Sequence, residues 1–385
     1  MNIKIYITFG ILALGILISP LISNLLQIPI SISEILFGIL IGSAGLKVYL
    51  DHHLIYPFSY FGFLLLMFLA GLEIKIKELK NLEIEDLIFI IIPVFLNFLV
   101  SIFLVFTFKL PIFFLLIFNL TSIGVAIPIF KELNLFKTSY GKTIFFIGVL
   151  GEAFSLFLLT IFSLIFKFKN PILFLKEFIL LIFVSIFAYL ILKFIYLLVW
   201  WFPTKFFVIF TNDSREFGVR LSLGILLILS SLFGLANIEP IIGAFITGVL
   251  FGNIIKRDDI LEDKFSGLSY GFFIPIFFIN IGINFSFPEV NYTYFFKILL
   301  LFIISKIISS LPLSFKFGFK AALGAGLLLS APLTLLIASA EFGKKLGVLN
   351  ENEVLVLILL ALVTGIICPT IFKLLIKNLN LNKVQ

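Results

Sequence analysis

The sequence predicts an all-α polytopic membrane protein of about 13 transmembrane helices. The helices read as two inverted-topology six-helix repeats with two crossed broken helices. Three observations lead there. Of 385 residues, 61% are hydrophobic and only 13% charged, whereas soluble domains run at about 45–50% and about 25%. A water-soluble protein of this length could not hide that much apolar surface in one core. Apolar runs of about 20 residues, the length that crosses a bilayer, recur along the chain. Gly- and Pro-marked motifs also return at one common spacing.

Composition excludes several functions. The single Cys368 rules out an internal disulfide, and His52 and His53 leave little for zinc or haem, so no cofactor is expected. A net charge of +7 raises the question of nucleic acid, but basic residues lie in short loops. Positive-inside bias explains that charge without a nucleic-acid partner.

The crossings fall near residues 5–26, 31–49, 57–74, 87–108, 111–130, 142–166, 173–201, 217–235, 239–255, 269–286, 292–313, 317–341 and 354–377. The longest polar stretches, around Lys75–Asp86 and Lys256–Lys264, are loop-sized, so the chain reads as a single membrane domain. It ends at Gln385 just after its last span, and no soluble regulatory domain is expected. The first run lacks a clear basic n-region and a small-residue cleavage site, and reads as a retained helix. One face collects Lys75, Lys77, Lys80, Lys131, Lys137, Lys142, Lys205, Arg215, Lys256, Arg257, Lys264, Lys316, Lys320 and Lys383. The other receives roughly half as many basic residues, so the first face is expected to be cytoplasmic. With an odd number of spans, the N-terminus is then outside and the C-terminus inside.

Gly38-Ile-Leu-Ile-Gly42 in span two resembles Gly248-Val-Leu-Phe-Gly252 in span nine, at an offset of about 210. Phe68-Leu-Ala-Gly71 in span three matches Phe278-Ile-Asn-Ile-Gly282 in span ten at nearly the same offset. Spans five and twelve each break with small polar residues and a proline: Thr121-Ser122 through Pro128, and Ser330-Ala-Pro332-Leu-Thr334. Repeat one then covers about 5–166, a connector helix about 173–201 and repeat two about 217–377. Corresponding helices stand an odd number of spans apart, so the halves insert upside down. That is the plan of many secondary transporters, whose paired broken helices mark a midplane ion site. GxxxG alone is also a common packing device.

Ionisable residues inside hydrocarbon are costly and are functional candidates by default. Two qualify: Glu152, in Gly151-Glu152-Ala-Phe-Ser155, and Lys306, in Ile304-Ser305-Lys306. Lys176, Lys193, Arg220, Lys297 and Glu341 lie close enough to span ends to snorkel. A carboxyl in a partly dry cavity, tuned by burial and a nearby ammonium, can hold a proton or a hard monovalent cation. The two compete for the same oxygens, so a carrier that changes sides only when loaded performs obligatory exchange. The broken stretches would add backbone and hydroxyl oxygens from Thr121, Ser122, Ser330 and Thr334.

These residues resemble the bacterial monovalent cation:proton antiporters, which include sodium/proton antiporters and the membrane part of potassium efflux systems. Ser33-Glu-Ile-Leu-Phe-Gly-Ile-Leu-Ile-Gly42-Ser-Ala-Gly-Leu46 resembles the family's first-repeat stretch. Phe68-Leu-Ala-Gly-Leu-Glu73, Ile242-Gly-Ala-Phe-Ile-Thr-Gly248 and Pro275-Ile-Phe-Phe-Ile-Asn-Ile-Gly282 resemble three further signatures. The resemblance puts the family's essential aspartate on Glu152, its preceding Asp or Asn on Gly151 and its buried lysine on Lys306. It implies ion-binding roles around Glu152, with Gly151 and Ser155 beside it and Lys306 as charge partner. It also implies Na+ or K+ and H+ as substrates, a homodimer in the bacterial inner membrane, and an elevator-like motion of a core bundle against a scaffold.

Two departures matter. Gly151 removes the second acid, which in the family accompanies electrogenic exchange, so electroneutral exchange is expected, with Lys306 free to pair with Glu152. Ala331-Pro332-Leu333 stands where many members carry a Gly-Glu pair. A channel-like or sensory protein on the same fold, without coupled exchange, is the alternative. An enzyme is not expected, because a lone Glu–Lys pair is poor equipment for hydrolysis or group transfer.

Overall fold

The computed structural model describes residues 3–26, 28–43, 45–72, 84–121, 126, 129–130, 133, 135–167, 171–201, 216–236, 238–254, 259–285 and 290–377. Among these residues there is no strand. The helices, in chain order, begin with α1 (Ile3–Leu26), α2 (Ile30–Ser43), α3 (His52–Leu72), α4 (Ile84–Thr107) and α5 (Phe113–Asn119). Then come α6 (Ser139–Lys167), α7 (Pro171–Trp201), α8 (Phe217–Leu235), α9 (Pro240–Ile254) and α10 (Asp259–Leu268). The chain closes with α11 (Ile274–Ile283), α12 (Tyr292–Ser310), α13 (Phe319–Leu329), α14 (Leu333–Lys345) and α15 (Glu351–Lys377). Among the described residues, nine helices are long and apolar enough to cross a membrane, or ten if the bent pair α13–α14 counts as one span.

Ser122 lies outside the described residues, as do most of the Thr121–Pro128 break, Glu73 and the loop lysines Lys75, Lys77, Lys80, Lys131, Lys205, Lys256 and Lys383. The second break lies within them. Helices α13 and α14 meet at 44° across Ser330–Pro332. Pro332 has no amide hydrogen to continue the ladder; just before it the Ser330 amide turns to the Leu327 carbonyl, and the Ser330 hydroxyl donates to the Gly326 carbonyl at 2.7 Å.

Two expected boundaries change. The second interval does not run as helix to residue 49: α2 stops at Ser43, Gly45 takes φ +75°, and Leu46–Tyr49 forms a 3-10 turn. Gly45 supplies the left-handed conformation that a side chain disfavours. The stretch around Lys256–Lys264, read as loop, contains the start of α10, which continues through a π-helical turn, Ser269–Phe273, into α11. Pro275 explains that turn. In a regular helix its ring would collide with the carbonyl four residues earlier, at Gly271, and the widened turn avoids the clash.

The chain forms two compact units that cut across both sequence halves: Met1–Glu78 with Lys167–Phe285, and Leu79–Phe166 with Ser286–Gln385. In the first, α11 packs on α2 and α3, α9 on α3 and α8, and α1 on α2. Two crossings dominate it. A Cβ on Gly38 would stand 2.9 Å from the Gly282 Cα, and one on Gly71 would stand 3.0 Å from the Gly248 Cα. Only glycine permits so close a backbone approach. All four glycines come from the motifs that recur in the sequence, and they pair α2 with α11 and α3 with α9. Around the α2–α11 crossing, Leu12, Phe37, Leu50, Ile55, Ile276, Ile279 and Ile283 form an apolar cluster.

In the second unit α12 packs on α4 and α13, α15 on α13 and α14, and α4 on α5. Its core gathers Ile90, Phe130, Tyr140, Ile144, Leu313, Ala322 and Phe372. The Tyr140 hydroxyl donates to the Ala321 carbonyl at 2.7 Å, so its polar end is satisfied inside that cluster.

Candidate functional site

The second unit encloses a small cavity, about 20 Å³ as swept by the centre of a water-sized sphere. That is room for about one water or one ion of similar size. Helical spacing brings its walls together. Pro93, Val94 and Asn97 face it from α4, Ile147, Gly151 and Phe154 from α6, and Lys306, Ser309 and Ser310 from α12. Each set follows the three- and four-residue steps that place side chains on one helical face. Asn119, Thr121 and Leu329 complete the lining.

Lys306 is buried to 2% exposure. Its ammonium donates to the Thr121 hydroxyl at 3.0 Å and lies 5.6 Å from the centre of the Phe302 ring, within cation–π range. The Thr121 hydroxyl in turn donates to the Asn119 carbonyl at 3.2 Å. Helix α5 ends at Asn119, so that carbonyl has no partner further along its own helix. It also receives the Ser155 hydroxyl at 2.9 Å, which is shared with the Gly151 carbonyl at 2.6 Å. Lys306, Thr121, Asn119 and Ser155 therefore form one relay. The negative end of α5 faces the ammonium through Thr121, a favourable orientation for the helix dipole.

Gly151 sets the spacing between α6 and Thr121. A Cβ there would stand 3.0 Å from the Thr121 Cβ and 3.2 Å from its hydroxyl oxygen. Glu152 follows on the same helix at 3% exposure, about 100° round from Gly151. It is next to the cavity wall in the chain without being one of the lining residues.

The sequence-derived residues thus divide. Thr121, Gly151 and Lys306 share the cavity, and Ser155 joins them through the Asn119 carbonyl. Ser330 is buried and bonded to Gly326, one position beyond the lining residue Leu329. Thr334 opens α14, partly exposed, and is not among the cavity's lining residues.

Two residues escaped the sequence reading. Asn97 and Asn119 are both buried, and the Asn97 amide donates to the Phe118 carbonyl at 3.2 Å and to the Asn119 side-chain oxygen at 3.4 Å. The Asn119 amide donates to the Leu115 carbonyl at 2.8 Å. A lone asparagine in the apolar run Phe95-Leu96-Asn97-Phe98 was the available signal, because polar groups deep in a span carry interhelical bonds.

A long-helix membrane fold with a broken span and a buried lysine beside a small cavity of mixed apolar and polar lining defines a polytopic membrane protein with an ion-sized internal site. The chain belongs to the sodium/hydrogen exchanger family: the transmembrane family profile of that description matches residues 11–378. An Na+/H+ antiporter of Enterococcus hirae is 28% identical over 378 residues, covering 94% of this chain and 95% of that protein. A Bacillus subtilis protein, YjbQ, which carries a provisional Na+/H+ antiporter name, is 28% identical over 387 residues. That match covers 92% of this chain, which spans 60% of the Bacillus protein's length. The structure of the sodium proton antiporter MjNhaP1 from Methanocaldococcus jannaschii at pH 8 aligns with a TM-score of 0.61, covering 99% of each chain at 16% identity. That likeness is one of fold.

Proposed function

We propose that the protein is a secondary antiporter exchanging a monovalent cation, Na+ or K+, for H+, with Glu152 binding proton and cation in alternation. The observation that carries this reading is the relay in which buried Lys306 is held to Thr121 beside the helix turn bearing Glu152. Family membership and the Na+/H+ antiporter names of the relatives support the same substrates.

The chemistry balances simply. A protonated Glu152 takes up a cation and releases its proton, so the loaded site carries the same net charge with either ligand. If Lys306 keeps its charge throughout, the exchange is one for one and electroneutral. A proton lost from Lys306 in every cycle would make it electrogenic instead. Thr121, Ser122, Ser330 and Thr334 are proposed to add neutral oxygens at the two breaks, where hard monovalent cations find carbonyl and hydroxyl ligands. Gly151 lets α6 approach Thr121, and Ser155 ties the same helix to the Asn119 carbonyl.

The unit that carries the site is proposed to act as the moving bundle of an elevator, in a homodimer. Thirteen crossings in two inverted repeats fit the Gly38–Gly282 and Gly71–Gly248 crossings, because the offset of about 210 relates each glycine of one crossing to a glycine of the other, Gly38 to Gly248 and Gly71 to Gly282. The N-terminus is placed outside and the C-terminus in the cytoplasm, in the bacterial inner membrane.

The test is cation-induced dequenching of a pH-sensitive dye in proteoliposomes, run with Na+, K+ and Li+ separately. Wild type is expected to move protons against at least one of them, and Glu152→Gln to abolish the signal. Wild-type exchange in the Gln variant removes Glu152 from the site. Cation flux without proton movement in wild type overturns the antiport reading in favour of a channel.

A further inference from the structure

The relay leaves one polar atom unexplained. Asn97 lines the cavity at 6% exposure, and its side-chain oxygen is buried with no hydrogen-bond partner. The orientation of that amide is fixed by its neighbours. Its nitrogen faces two acceptors, the Phe118 carbonyl and the Asn119 side-chain oxygen. The latter must be an oxygen, because the Asn119 nitrogen is spent on the Leu115 carbonyl. Turning either amide over would set acceptor against acceptor. The orphan on Asn97 is therefore a carbonyl-type oxygen, carried by a residue that lines a cavity sized for one ion or water.

Buried acceptors normally have donors, and the exceptions ask for a reason. Pro93 stands one turn earlier on the same helix and lines the same cavity. Lacking an amide hydrogen, it leaves α4 a bond short where the helix passes the site.

We infer that the Asn97 side-chain oxygen is a ligand for the transported cation, a neutral donor from α4 that completes the site formed by α5, α6 and α12. This rests on the proposed antiport and goes beyond it by naming a ligand that resists titration. A carboxamide oxygen binds a hard cation but offers a proton almost nothing. It therefore biases the competition at Glu152 towards the cation without adding charge beside Lys306. A water in the same cavity is the competing occupant, since it could donate to Asn97 and accept from the lysine.

The experiment uses the purified 385-residue chain, with two readouts: the dequenching KM for Na+ and K+, and the cation-dependent rise in melting temperature against choline chloride. Asn97→Leu keeps the branched four-atom skeleton, with bulkier methyl ends, and removes both polar atoms. It is expected to raise the half-saturating cation concentration about 10-fold in both readouts, a change of about 1.4 kcal/mol, while transport at saturation persists. Asn97→Asp keeps an oxygen and loses the amide donors, and is expected not to raise it. Asn97→Ala reads the same loss if the Leu variant does not fold.

Unchanged half-saturation in the Leu or Ala variant overturns the ligand assignment and leaves water as the occupant. An equal rise in the Leu and Asp variants overturns it too, because the amide donors then matter and Asn97 only positions α5. The parent reading fails separately, and takes this inference with it, if wild type shows neither exchange nor a cation-dependent melting shift.

Discussion

The Lys306 ammonium donates to the Thr121 hydroxyl at 3.0 Å, across 185 residues of chain. This contact ties α12 to the segment that leaves α5, and it makes Thr121 the polar anchor of a buried lysine. A buried group stripped of its partner costs about 1–3 kcal/mol. Thr121→Val keeps the shape and removes the hydroxyl, so it is expected to lower thermal stability by that amount and slow exchange at least about 10-fold. Thr121→Ser keeps the hydroxyl and should stay within a few-fold of wild type. Melting curves in detergent and dequenching rates check both. A Val variant as active as wild type separates this contact from transport.

Gly151 is a spacing residue in this geometry. A methyl group there lies 3.0–3.3 Å from three Thr121 atoms, close enough to require a shift of a few tenths of an ångström. Overpacking of this kind costs about 1–3 kcal/mol. Gly151→Ala is expected to fold and to lose exchange rate several-fold, as Thr121 is pushed off its lysine. If the rate is unchanged while stability falls, the spacing serves packing alone.

The crossings in the first unit make a sharper stability prediction. A Cβ on Gly248 would press on the Phe68 carbonyl and stand 3.1 Å from the Gly71 Cα. Because the obstruction is backbone, it cannot rotate away. Gly248→Ala and Gly282→Ala are each expected to cost about 1–3 kcal/mol, seen as a lower melting temperature. Gly224 has nothing within 4 Å of its Cβ position, and Gly224→Ala is the neutral control. Equal melting temperatures for all three would mean that the crossings are looser than drawn.

The sequence exposed what depends on local chemistry. Apolar length marked the chain as a many-helix membrane protein, with nine or ten of the described helices long and apolar enough to cross; Pro332 gave the second break, and Glu152 and Lys306 stood out because charge is expensive in hydrocarbon. It also picked out Gly38, Gly71, Gly248 and Gly282, whose pairing across helices follows from their size. It could not reveal which helices share a cavity. The Asn97–Asn119 contact joins residues whose spans are each apolar and ordinary in isolation, and only packing shows that α4 and α5 turn them towards one another. Helix α10 was misread for a related reason: its charged residues look like loop, yet they continue a helix whose π turn accommodates Pro275.

Glu152 offers the most direct separation of ligand from scaffold. It is 3% exposed, so any shortening is felt both in packing and in reach. Glu152→Asp keeps the carboxyl and withdraws it by about 1.5 Å, one carbon–carbon bond. A buried methylene lost from a core costs about 1 kcal/mol, which should appear as a small fall in melting temperature. If the carboxylate holds the cation, the same withdrawal lengthens its contact. The Asp variant is then expected to exchange, with a cation KM raised about 10-fold, where the Gln variant does not exchange at all. Proteoliposome dequenching across a cation series reads both quantities. An Asp variant with wild-type KM and lowered stability would place the carboxylate outside the cation's reach, and the titrating group would have to be sought among other residues.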